Sequence, residues 1–228
     1  MWHLRYDILP RWADRLLTWS TLIATAAVLI AAGRHYFGPT LPRLAEDSRP
    51  RHVSSWRSYL NGYQPWPSTS QPIANLVIFS DYRCEYCSET DSVLSTLPSI
   101  QEGSLRVIYR HLPMSPLARN AALASICAED MGLGRRMHSR LFAVSDSFGF
   151  LSWNHIAASV GLTDTLSFDR CLAASSSSDR LTADLNAAEQ LRIRSTPALL
   201  LDSLLFIGVP NRTYISSYVL AQTTDARP

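Results

Sequence analysis

The chain contains no lysine. All 21 of its cationic side chains are arginine, and against 19 acidic residues they leave a formal net charge of only +2. So small a surplus makes no case for a nucleic-acid partner. Charged residues are also sparse at 18%, whereas hydrophobic residues reach 46%, which excludes a disordered chain and points to a globular protein with a membrane element. No internal repeat occurs, and no low-complexity tract beyond Ser175–Ser178. The six histidines include His111, His138 and His155, and none follows a metal-ligand spacing, so no metal site is expected. With 228 residues there is room for one core of ordinary size plus extensions. The four cysteines are compatible with two disulfides and with an oxidising compartment.

Long apolar runs are also scarce, with one exception. Leu16–Gly33 is uncharged over 18 residues, and at about 1.5 Å per residue it would span roughly 27 Å as a helix, close to the hydrocarbon thickness of a bilayer. Trp12, Trp19 and Tyr36 suit an aromatic belt at its ends. Ala31-Ala32-Gly33 also resembles a signal-peptide cleavage site. The preferred expectation is an N-terminal tail and uncleaved anchor over 1–37, followed by a Pro-rich tether over 38–72. A short helix is expected near Val53–Leu60, with Trp56, Tyr59, Tyr63 and Trp66 docking on the domain edge.

The remaining chain is organised around Ile73–Pro98. Ile73–Phe79 reads as a strand buried on both faces. Ser80 and Asp81 offer helix-capping chemistry, and Tyr86, Thr90, Val93, Leu94 and Leu97 recur at helical spacing until Pro98 ends the run. Cys84 and Cys87 thus fall at a helix N-terminus, where the dipole and free N–H groups favour thiolate over thiol. Such a thiolate can attack a disulfide and be resolved by its neighbour.

Downstream, Leu105–His111 reads as a second strand, and residues 116–178 as a helical block with Ser175–Ser178 as a hinge. A helix follows over about Asp179–Arg192. Two apolar runs around Asp202-Ser203 predict a β-hairpin, and Tyr214–Ala221 a terminal helix. This order gives an α/β fold with an α-helical insertion, divided into 73–115, 116–178 and 179–228.

FSDYRCEYC, the HLP after the second strand, NAALASICAED, FDRCLA, and RSTPALLL followed by Gly208 together resemble the DsbA-like thiol:disulfide oxidoreductases over roughly Ala74–Ala221. The resemblance implies a thioredoxin-like fold with an inserted helical domain. It implies that Pro197 follows a cis bond and faces the cysteine pair, and that Thr196 offers its backbone to a substrate chain. Cys84 takes the role of nucleophile and Cys87 that of resolving thiol. Cys127 and Cys171 match cysteines of many relatives and are expected to form a structural disulfide, two buried free thiols being the alternative. Where the family commonly has proline after the first cysteine, this chain has Glu85. Its charge, about 6 Å away, would oppose the thiolate by roughly one pKa unit, with Arg83 offsetting part of this and Tyr86 completing the tuning set. Thioredoxins carry a buried acid six residues before the first cysteine; Ile78 stands there, which leans towards oxidase work.

The expected function is therefore that of a membrane-anchored oxidoreductase in the periplasm or extracytoplasmic space. It would form disulfides in exported cysteine-containing proteins, be reoxidised by a DsbB- or VKOR-like membrane partner, and need no cofactor. Alternatives are a reductase or isomerase of the same fold, a redox-inert adaptor, or a copper(I) carrier using Cys84 and Cys87 with Met114, Met137 or His138.

Overall fold

A seven-residue strand, β2 (Ala74–Ser80), forms the centre of the molecule because all of its side chains but one, that of Asn75, are buried. The computed structural model describes residues 50–68 and 71–225. The apolar run Leu16–Gly33 lies outside the described residues, and among these no helix is long and apolar enough to cross a membrane. β2 pairs in parallel with β3 (Leu105–His111) and antiparallel with β4 (Ala198–Leu201). β4 turns back through Asp202-Ser203 into β5 (Leu204–Ile207), and the two-residue β1 (Arg51–His52) lines the far side of β5. The sheet order is β1-β5-β4-β2-β3.

Alternation along β2 sends its side chains to two cores. Val77 and Phe79 pack with Ile108, Leu200, Leu205 and the Ala187, Ala188 and Leu191 of a covering helix. Leu76 and Ile78 pack with Leu94, Leu97, Ile100, Ile215 and Val219 on the other face. The helices are α1 (Glu85–Ser95), α2 (Pro98–Gln101), α3 (Pro116–Asp130), α4 (Gly134–Ala143), α5 (Trp153–Ser159), α6 (Thr165–Ala173), α7 (Ser175–Gln190) and α8 (Arg212–Asp225). Helices α3 to α6 enclose a third core, in which Ala121, Ala124, Met137, Leu141, Ile156 and Phe168 are buried.

Four local expectations need revision. Ser175–Ser178 is not a hinge but the first turn of α7. There the Ser177 hydroxyl bonds the carbonyls of Cys171 and Ala174 and welds α7 to α6. Pro98 ends one helix and starts another, because its missing N–H is harmless at a first turn. Tyr86 is off the buried stripe of α1, which consists of Cys87, Thr90 and Leu94. The second half of the expected tether is part of the domain. Arg51–His52 joins the sheet, Trp56–Leu60 forms a 3-10 turn that buries Tyr59, and Trp66 exchanges backbone bonds of 2.7–2.8 Å with Val107. The aromatics of that segment serve packing: Tyr59 joins the first core, against which Trp56 and Tyr63 pack, and Trp66 packs against the second.

Candidate functional site

The carboxyl end of β2 delivers the chain into a tight turn controlled by Asp81. This carboxylate is buried, and it accepts the Arg83 N–H at 2.6 Å and the Met114 N–H at 2.7 Å. The Cys84 N–H donates to the Asp81 carbonyl at 3.1 Å, closing the turn. Asp81 therefore shapes the approach to α1 and is not its cap. The N-cap residue is Cys84 itself, with extended backbone angles and no side-chain cap hydrogen bond. Its carbonyl accepts from the N–H groups of Cys87 and Ser88, so the chain enters the helix at this residue.

Cys84 is half-exposed and Cys87 buried, and both are free thiols. The Cys84 Sγ lies 3.5 Å from the Thr196 carbonyl oxygen, and the Thr196–Pro197 bond is cis. The Pro197 carbonyl is held by the Gly208 N–H at 2.8 Å. The structure therefore brings Cys84, Cys87, Thr196 and Pro197 to one place, although 112 positions separate the first from the third. Hydrogen bonding from the Cys87 thiol is the largest influence on Cys84. Helped by the Thr196 side chain and opposed by partial burial and the Asp81 charge, it brings the Cys84 thiol down to about 6. That same hydrogen bond, together with burial, pushes Cys87 far up. One sulfur is thus a thiolate at neutral pH while the other keeps its proton.

Arg83, Glu85 and Tyr86 all lie at the surface beside Cys84. A nearby carboxylate that opposes the thiolate is Asp81, expected only as a cap. Cys127 and Cys171 are bonded to each other, with Cα atoms 5.8 Å apart, and join α3 to α6 within the helical unit.

A buried polar chain that sequence reasoning missed ties this site to the helical unit. The Tyr82 hydroxyl, two residues before Cys84, lies 2.7 Å from Ser125 Oγ and 2.9 Å from His138 Nδ1. His138 Nε2 lies 3.1 Å from Asp91 Oδ1 on α1, and that oxygen also accepts from Tyr109 at 2.8 Å and Arg135 at 3.1 Å. Burial works against the Asp91 carboxylate, but the hydrogen bond and charge of His138 and the charge of Arg135 hold it well below the usual range. Burial lowers His138, which the contact with Asp91 only partly offsets. The one sequence signal was spacing, since Cys84, Cys87, Asp91 and Leu94 fall on one stripe of a helix. This chain also removes two of the copper ligands considered. Both His138 nitrogens have hydrogen-bond partners, and Met137 is packed in the helical core.

A second buried cluster lies behind the site. Asp184 on α7 is fully buried and accepts from Arg110 Nη1 at 2.9 Å, from the His111 N–H at 2.8 Å and from the Tyr63 hydroxyl. Burial outweighs these donors and pushes its carboxyl up to about 6. His111, at the end of β3, is pushed down to about 3, first by burial and then by the charges of His138, Arg180 and Arg110, and is therefore neutral.

Comparison with known proteins follows the same outline. The family model described as Thioredoxin matches residues 71–216. Among curated proteins, the chain is 26% identical over 174 residues to the Na(+)/H(+) antiporter NhaA 3 of Salinispora tropica. The match takes in 75% of this chain but only 26% of the antiporter, so the chain spans about a quarter of that relative's length. Among solved structures, a thioredoxin-like oxidoreductase from Silicibacter pomeroyi superposes with a TM-score of 0.57 at 22% identity, covering 68% of this chain and 89% of that one. The thiol-disulfide exchange protein alpha-DsbA2 of Wolbachia pipientis gives 0.61 at 17% identity, covering 70% and 86%. At these identities the shared property is the fold.

Proposed function

The chain belongs to the thioredoxin family, and on that footing we propose that it is a thiol:disulfide oxidoreductase of the DsbA type, working as an oxidase on exported proteins. The observation that carries this reading is the asymmetric pair: a half-exposed Cys84 brought down to about 6, beside a buried Cys87 pushed far up, with the Thr196 carbonyl 3.5 Å from the reactive sulfur.

In the oxidised protein, a substrate thiolate attacks Cys84 Sγ and breaks the Cys84–Cys87 bond. Cys87 leaves with the electron pair and, given its raised pKa, takes up a proton. A second substrate thiolate then attacks the substrate sulfur of the mixed disulfide. Cys84 leaves as a stabilised thiolate, and the substrate has lost two electrons to the pair. A low leaving-group pKa speeds this second step, and a stabilised reduced form raises the potential. A DsbB- or VKOR-like membrane partner would return the pair to the disulfide.

In this reading Thr196 and Pro197 present backbone to the substrate chain, and Arg83, Glu85 and Tyr86 tune approach and charge at the lip. Leu16–Gly33 anchors the chain with the catalytic unit on the extracytoplasmic side. Equilibration of the full-length chain with glutathione tests the direction of flow. An oxidase requires a potential well above thioredoxin's about −270 mV, together with oxidation of a reduced, unfolded substrate that Cys84→Ser abolishes. A potential at or below the thioredoxin value overturns the oxidase assignment.

A further inference from the structure

Away from the cysteine pair, α4 presents Arg135, Arg136 and Arg140 to a single groove of about 720 Å³ between α4 and the end of α5. Ser139, Ser159 and Gly161 also line it, and no carboxylate does among the described residues. Two of the three guanidinium groups are held in place. Arg135 lies 3.7 Å over the Trp66 ring and pairs with Asp91 at 3.1 Å, and Arg140 Nε donates to Ser159 Oγ at 3.1 Å. Arg136 is exposed and pairs with no carboxylate among the described residues. Its guanidinium reaches over Gly161, where an added Cβ would sit 3.6 Å from Nη1.

The charges in this groove do not balance. Asp91 offsets Arg135, and the carboxyl end of α5 supplies at most about half a negative charge, which leaves about one and a half positive charges without a counterpart. Arg136 and Arg140 also stand four positions apart on one helix, a spacing at which like charges destabilise the helix unless an anion lies between them. Planar guanidinium forks fit the oxygens of a phosphate in pairs, and a fixed fork loses less freedom on binding than a free one.

We propose that this groove is a binding site for a phosphomonoester, held by Arg136 and Arg140 with the Ser139 hydroxyl, while Arg135 lines it and remains tied to Asp91. The site is independent of the redox chemistry. Of the three groove arginines, Arg135 is the one paired with Asp91 of the redox helix α1.

A soluble phosphomonoester and a lipid headgroup offer the same chemistry, so the test has two arms, both on the full-length chain. In the first, the thermal midpoint is followed against glycerol 3-phosphate and against sodium chloride at equal ionic strength. A saturable rise specific to the phosphate is expected. It should persist in Cys84→Ser, vanish in Arg136→Gln/Arg140→Gln, and need about tenfold more ligand in Arg136→Gln alone, the factor set by one charge-assisted hydrogen bond. In the second arm, co-sedimentation with phosphatidylcholine vesicles is compared with and without phosphatidic acid. Enrichment by phosphatidic acid that the double substitution removes supports a lipid source, and a response in the first arm alone supports a soluble one. Circular dichroism establishes that both variants fold, as expected for side chains at the surface. The proposal is overturned if neither arm responds to phosphate, or if the double variant responds as the parent does.

Discussion

Removing the Cys87 sulfur tests the electrostatics of the site most directly. The thiol of Cys87 is the largest single influence holding Cys84 at about 6, against an ordinary value of 9.0. In Cys87→Ala that hydrogen bond is gone, while Thr196 still lowers Cys84, and partial burial and Asp81 still raise it. Without that hydrogen bond the midpoint should rise by about two units, towards the ordinary thiol value. At pH 7 the thiolate fraction would fall from about nine-tenths to about one-tenth. Each remaining thiolate is a better nucleophile, however, and a two-unit rise multiplies its intrinsic rate by about eight for a Brønsted slope near 0.45. The two effects nearly cancel at pH 7, so a single-pH rate is uninformative. The assay must be a full pH profile of alkylation by iodoacetamide, supported by thiolate absorbance near 240 nm. The parent should level off above about pH 7, and the variant should keep rising to about pH 9 and reach a plateau about eightfold higher. A variant midpoint still at 6 would show that some other donor, or the helix end alone, stabilises the thiolate.

Other consequences concern stability. Breaking the Cys127–Cys171 bond with a double alanine substitution opens a 44-residue loop, and loop-closure entropy sets the expected loss at roughly 4 kcal/mol; an unchanged urea midpoint would contradict it. Arg110→Met leaves Asp184 buried without its cation and should cost about 3–5 kcal/mol at pH 7.5. The folded-state carboxyl of Asp184 lies above its unfolded value, so its contribution is complete below about pH 4 and lost as pH rises through about 6. The Arg110→Met penalty should therefore shrink at pH 5, and an equal penalty at both pH values would refute the assignment. Tyr82→Phe strands Ser125 and His138 Nδ1 and should cost about 1–3 kcal/mol in urea unfolding. Asp81→Asn removes the charge opposing Cys84, so its alkylation midpoint should fall below that of the parent; a rise would mean that the turn itself had shifted.

The strands were legible because burial writes itself into composition. β2 and β3 are near-continuous apolar runs, and two turn-formers between ALLL and LLFI define the hairpin. Cys84 and Cys87 were legible as a pair because three-residue spacing at a helix start leaves little other arrangement. One charge acting on them, that of Asp81, was overlooked. Glu85 is their neighbour in sequence, but its side chain lies at the surface, whereas Asp81 is turned inward by the N–H groups of Arg83 and Met114. The hinge reading of Ser175–Ser178 failed for a similar reason, since serine disfavours a helix interior until a neighbouring carbonyl occupies its hydroxyl.

Local pattern by itself determined which segments are strand or helix and where the thiols fall, because hydrophobic period and helix-end chemistry act within a few residues. Tertiary structure alone decided what surrounds those thiols. The Thr196 carbonyl, the Tyr82–His138–Asp91 chain and the Arg110–Asp184 pair join residues 47 to 112 positions apart. No periodicity records such partners, because a buried polar group is matched to its donor only when packing excludes water from both.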